Sequence, residues 1–171
     1  MSRAGHSIDR IVDRVTAVFL DFSGSLLAIV VVLINVEIVL RYVIGKSTLI
    51  ADEYSGYFLV WMSLLGFGYA LQSGQFLSVG VFIRRRSKTV REIAASIGAI
   101  VGAILALITM YGCWHTVLIS FNFGTRSIQA SATPIWLPQM AMPIAFAWLA
   151  VLYARMAIKR ISTLVDGEGQ R

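Results

Sequence analysis

The chain is poor in the residues that carry out chemistry. In 171 residues it has one cysteine, two histidines and three prolines, and only 14% of it is charged. A single cysteine, Cys113, lies in an apolar run, which excludes an internal disulfide and leaves a small packing residue. Two histidines, His6 near the start and His115 beside Trp114, do not supply a bis-histidine haem between helices. Of the two, His115 reads as a packing or interface residue. Paired acids, clustered Cys/His ligands and a phosphate-binding glycine loop are all missing, so no enzyme, resident cofactor or metal is expected on this chain. The scarcity of charge also excludes a water-soluble domain, whose surface would need far more of it. No cleavable signal peptide is expected, because Asp9, Arg10, Asp13 and Arg14 interrupt the first stretch and no A-x-A site follows.

What is present is hydrocarbon. The sequence is 57% hydrophobic with a mean hydropathy of +0.76. The expectation is an all-α integral membrane protein forming one domain over residues 1–171. Four spans are expected, near 21–43, 52–73, 93–120 and 138–159, each long enough for a ~30 Å hydrocarbon core. Residues 7–19 alternate charge with Ile8, Ile11, Val12, Val15 and Phe19, an amphipathic approach that either lies among headgroups or runs straight into span one. Residues 76–91 form a second amphipathic piece. Span three is longer than the core requires and carries Ala94, Gly98, Gly102 and Ala106 at every fourth place, a ridge for close packing inside the chain or for a homodimer seam. Pro134 and Pro138 suit the approach to span four, and Pro143 kinks it unless the helix begins there.

Charge sets the orientation. Of 15 basic residues, 12 fall in the N-terminal segment, the loop after span two and the C-terminal tail, leaving Arg41, Lys46 and Arg126 on the other side. The positive-inside rule then makes both termini cytoplasmic. Arg84, Arg85, Arg86 and Lys88 read as topology anchors facing lipid headgroups, and the net charge of +6 sits beside membrane segments rather than forming a nucleic-acid footprint. The fourteen Leu, Ile and Val residues between Leu26 and Ile44 contribute roughly −4 to −8 kcal/mol to insertion, whereas two charges at mid-membrane would cost about +5 to +7 kcal/mol. Glu37 and Arg41 therefore lie toward one surface. They are four apart with the acid first, the order that favours a structural ion pair, and Glu37 is also a candidate functional acid.

The second span has two unlike faces. Asp52, Gly56, Ser63, Ala70, Ser73 and Gly74 share one narrow arc, and Tyr54, Phe58, Trp61 and Leu65 point the opposite way. The smooth arc is expected to pack inside the chain and the aromatic face to meet lipid or another subunit. Asp52 and Glu53 either cap the helix start or, with Arg126, form an external docking surface.

The run VEIVLRY followed by ADEYSGYFLVWMSLLGFGYALQSGQFLSVGVF resembles the small permease subunit of tripartite ATP-independent periplasmic (TRAP) transporters. The matching positions are Glu37, Arg41, Tyr42, Asp52, Glu53, Phe58, Val60, Trp61, Leu65 and Gly66, with Pro134, Trp136 and Pro143 further on. The acidic pair is Asp-Glu where that family favours Glu-Glu, and Gln75-Phe76 stands where a basic or histidine pair is often found. The likeness implies a multi-pass protein of the bacterial inner membrane, acting as a fixed scaffold for a large multi-span permease. That partner would hold the substrate and sodium sites, and a periplasmic solute-binding protein would deliver an organic acid. Membrane lipids are the remaining partner. Two other readings stay open: a stand-alone four-helix proton-coupled exporter with Glu37 as its coupling site, and a membrane anchor of another complex.

Overall fold

The structure is a computed structural model that describes residues 3–74, 88–129 and 131–168. Arg84, Arg85 and Arg86, with most of the segment 76–91, lie outside the described residues. Among the described residues the regular elements are all helical, and one isolated antiparallel bridge joins Arg126 and Pro134.

The first helix, α1 (Arg3–Val39), runs on without a break through the expected amphipathic segment, so approach and span are one helix of ~55 Å. A π-helical turn, Leu40–Ile44, follows and stops at Gly45, whose φ of 70° only a residue without Cβ adopts freely. Helix α2 (Ile50–Gln72) returns antiparallel. Helix α3 (Lys88–Asn122) follows, then a single turn, α4 (Trp136–Gln139), and finally α5 (Ala141–Glu168). Pro138 lies within the short α4 and Pro143 in the first turn of α5, where a missing N–H costs nothing. Among the described residues, three helical stretches are long and apolar enough to cross a membrane: Asp9–Ile44, Glu92–Asn122 and Trp136–Ser162. At ~34 Å, α2 has the length as well, with Asp52 and Glu53 in its first turn.

Helix α3 packs mainly on α5, α1 mainly on α2, and α2 on α5. The seam of α1 keeps alternating 3–4 spacing over Val12, Thr16, Phe19, Ser23, Leu26, Val30, Leu33 and Glu37, every one of them buried or half-buried. Thr16 and Ser23 fit there because each hydroxyl donates to the carbonyl one turn back, Val12 at 3.0 Å and Phe19 at 2.7 Å, so no donor is left unpaired. On α5 the core face is small, with Ala141, Ala145, Leu149 and Leu152 all buried. Close approach occurs at Gly68 of α2, where a Cβ would come within 2.9 Å of the Trp148 ring. On α3, Gly102 and Ala106 turn toward α5, with Tyr153 lying over Gly102. The opposite side of α3 is bare hydrocarbon, including Ile104, Leu105 and Ile108, a surface that suits lipid or another membrane protein and not water.

The two faces of α2 are used the other way round from the sequence expectation. Leu65 is 3% exposed, and Tyr54, Phe58 and Trp61 are half-buried. Trp61 meets Phe22 of α1 edge-on at 6.5 Å, and Tyr54 stacks against both Tyr57 and Phe58. Gly56 and Ser63, on the smooth arc, are exposed. The reason is area: large rings gain most from neighbours. Gly68, the one glycine on the ring side of α2, forms the notch that admits Trp148.

Candidate functional site: two carboxylates held by hydroxyls

One end of the bundle gathers the C-terminus of α1, the start of α2 and the loop between α3 and α4. Glu37 sits there, 6% exposed. Arg41 Nη2 donates to its Oε1 at 3.3 Å, so the expected pair forms, but it is the smaller part of the site. Ser47 Oγ donates to Oε1 at 2.5 Å, Thr48 Oγ1 to Oε2 at 2.6 Å, and the Thr48 amide lies 3.2 and 3.3 Å from the two oxygens. The carboxylate thus ties the 45–49 turn back onto α1. The hydroxyls of Ser47 and Thr48 are spent on it, and α2 starts without a side-chain cap at Leu49, which carries an uncommon positive φ of 56°. Arg41 itself is half exposed and also approaches Ser47 at 3.2 Å and Asp52 at 3.6 Å.

The neighbouring acids at the start of α2 part company. Asp52 is exposed, with its side chain 68% accessible. Glu53, 100° further round the helix, is 5% exposed and accepts from Tyr57 Oη at 2.7 Å and Ser131 Oγ at 2.5 Å. Thr133 adds a contact with Tyr54 Oη at 3.0 Å and another with Ser131 at 2.7 Å. Glu53 therefore holds the α3–α4 loop from below and presents no free charge. Of the three residues expected at a docking surface, Asp52 and Arg126 are the exposed ones.

The other end is built from ion pairs. Arg155 of α5 donates through Nε to Asp9 and through Nη1 to Asp13, both at 2.8 Å. Lys159 meets Asp9 at 2.8 Å, and Arg160 meets Glu92 at 3.0 Å. These join α5 to α1 and to α3. Lys88, expected as a topology anchor, opens α3.

The sequence reading missed Ser47, Thr48, Tyr57, Ser131 and Thr133. A Ser-Thr pair two residues beyond a helix-ending glycine, within reach of an acid at membrane depth, is the signal that could have found the first two. Nothing local points to Ser131, which lies 78 residues from Glu53. Among the described residues no three His, Cys, Asp or Glu side chains converge as metal ligands would.

Residues 30–163 match the family model described as tripartite ATP-independent periplasmic transporters, DctQ component. That stretch contains α2, α3, α4, most of α5 and the whole Glu37–Glu53 site. The chain belongs to that family. Within it, the chain is similar to a Haemophilus influenzae protein described as a TRAP transporter small permease. The two are 25% identical over 144 residues, 84% of this chain and 88% of that protein. As a DctQ-family chain it is a transporter component located in a membrane. Family membership implies association with a large permease and a binding protein.

Proposed function

We propose that this chain is the scaffold subunit of a sodium-coupled, binding-protein-dependent transporter for organic acids, and that it carries no solute itself. The observation behind this reading is the state of Glu37. Among the described residues it is the buried acid that α1 carries toward the membrane, a place where a proton could be coupled or a charged solute held. Both its oxygens are already committed to Ser47, Thr48 and Arg41. An apolar groove of about 560 Å³ does lead to it past Ile29, Val32 and Val36, which is the feature that favours the exporter reading. An acid with its lone pairs filled by fixed donors is a structural strut, and Thr48, the polar residue that lines the groove beside it, already spends its hydroxyl on Glu37.

In this reading α2 is the fourth span and both termini face the cytoplasm, so the hydroxyl-held end looks outward. The exposed smooth side of α2, Gly56 and Ser63, lets a helix of the large permease approach closely. Asp52 and Arg126 lie where the binding protein lands. Sodium and the solute belong to the large subunit. Co-expression tests the scaffold role: the chain should co-purify with its large permease in a one-to-one complex. A chain that stays monodisperse alone and leaves the large subunit fully active without it would sink the proposal.

A further inference from the structure

The ion-paired end of the bundle is not filled by its own side chains. Between the first part of α1, the last turn of α2 and α5 it leaves a cavity of about 490 Å³. The floor is apolar, made by Leu71, Leu152 and Met156, and the wall is cationic, made by Arg155, Lys159 and Arg160 on neighbouring turns of α5. Asp13 and Gln72 line it as well, and both are exposed. The level is that of a membrane surface. The apolar stretch of α1 begins at Asp9 and that of α5 ends at Ser162, so the cavity lies beside their ends. Ile11 and Ile158, both exposed, bring bare hydrocarbon to the same level as the charges. In the proposed orientation this is the cytoplasmic surface, where anionic lipids gather.

The charges are committed only in part. Arg155 donates through Nε and Nη1 to Asp9 and Asp13, and Arg160 through Nη1 to Glu92. A guanidinium carries five N–H donors, so each arginine keeps donors beyond these bonds. The three acids and three bases of these pairs cancel, and Arg10 and Arg14, exposed on α1, then tip this end positive. A free phosphate would answer the wall and leave the floor wet. A bare alkyl chain would cover the floor and leave the wall unanswered. A phosphate carried on an acyl chain meets both.

We propose that this cavity binds an anionic phospholipid, its phosphate on Lys159 and Arg160 and the first carbons of an acyl chain on Leu71, Leu152 and Met156. Arg155, the most enclosed of the three bases, keeps its task of tying α5 to α1. The test uses the full-length chain in neutral detergent, titrated with phosphatidylglycerol, phosphatidylcholine or inorganic phosphate, with bound lipid counted by native mass spectrometry. One phosphatidylglycerol should bind saturably, about tenfold more tightly than phosphatidylcholine, and more weakly as salt rises. Gln72→Glu puts an acid into the cavity without touching an ion pair, and should weaken that binding about tenfold at an unchanged Tm. Asp13→Asn should act with the opposite sign. It loses a bond to Arg155 and should lower the Tm, yet it removes a negative charge from the cavity and should tighten phosphatidylglycerol binding severalfold. A cavity that serves only as a clamp gives no such opposition. Equal binding of the two lipids, or a titration that Gln72→Glu leaves unchanged, would overturn the proposal. Inorganic phosphate that binds as tightly and displaces the lipid would overturn it too, making the cavity a site for a soluble anion.

Discussion

The two ends of the bundle solve the same problem with different chemistry. At one end, Glu37 and Glu53 are buried and satisfied chiefly by hydroxyls and an amide, with one half-exposed arginine at 3.3 Å. At the other, Asp9, Asp13 and Glu92 meet Arg155, Lys159 and Arg160 directly. Hydroxyl donors are short and directional, so they fix loops: the 45–49 turn in one case and the α3–α4 hairpin in the other. Long basic side chains are forgiving in position and hold helix to helix over separations such as the 146 residues between Asp9 and Arg155. The first kind of end is shaped for a surface, the second for a clamp.

The largest expected contrast is in accessibility. With Cys113 replaced by alanine, a cysteine at Thr125 should react with an impermeant reagent added outside, and one at Ser162 should not. The reverse pattern would exchange the roles of the two ends. Next in size is Glu37→Ala, which leaves the Ser47 and Thr48 donors without their acceptor. It should lower the Tm of the purified complex more than any single change at the ion-paired end, and Glu37→Gln should fall between. Equal losses at both ends would erase the distinction. Between the ends, Gly68→Val drives side-chain atoms into Trp148 and should cost about 1–3 kcal/mol, unchanged by salt. Smallest is Arg160→Ala, which removes the Glu92 pair with its half-exposed partners. It should cost about 0.2–1 kcal/mol and vanish at high ionic strength, as unfolding at low and high salt would show.

Much of this was legible before the structure. The long apolar runs fix a helical membrane protein, and the Glu37–Arg41 spacing gives their pairing, because both depend on neighbours within one helix. The α1 seam was harder to see. Its 3–4 spacing runs through Thr16, Ser23 and Glu37, and counting only apolar residues breaks the pattern at each. Hydroxyls bonded to their own helix pack as small residues, so they belong in the count. The faces of α2 misled for a related reason. A stripe of small residues says that a helix can approach closely there, but the partner helix decides which face is used. Here Trp148 takes the notch at Gly68 on the ring side. Asp52 and Glu53 look alike in sequence, and what separates them is Ser131, a residue that no local pattern connects to either.

The central claim is that this chain supports transport without performing it, and reconstitution tests that most directly. Solute uptake into liposomes should require this chain, its large permease and the binding protein together, and the chain alone should give none. Uptake by the isolated chain, abolished by Glu37→Gln, would contradict the account and make Glu37 a coupling site instead of a strut.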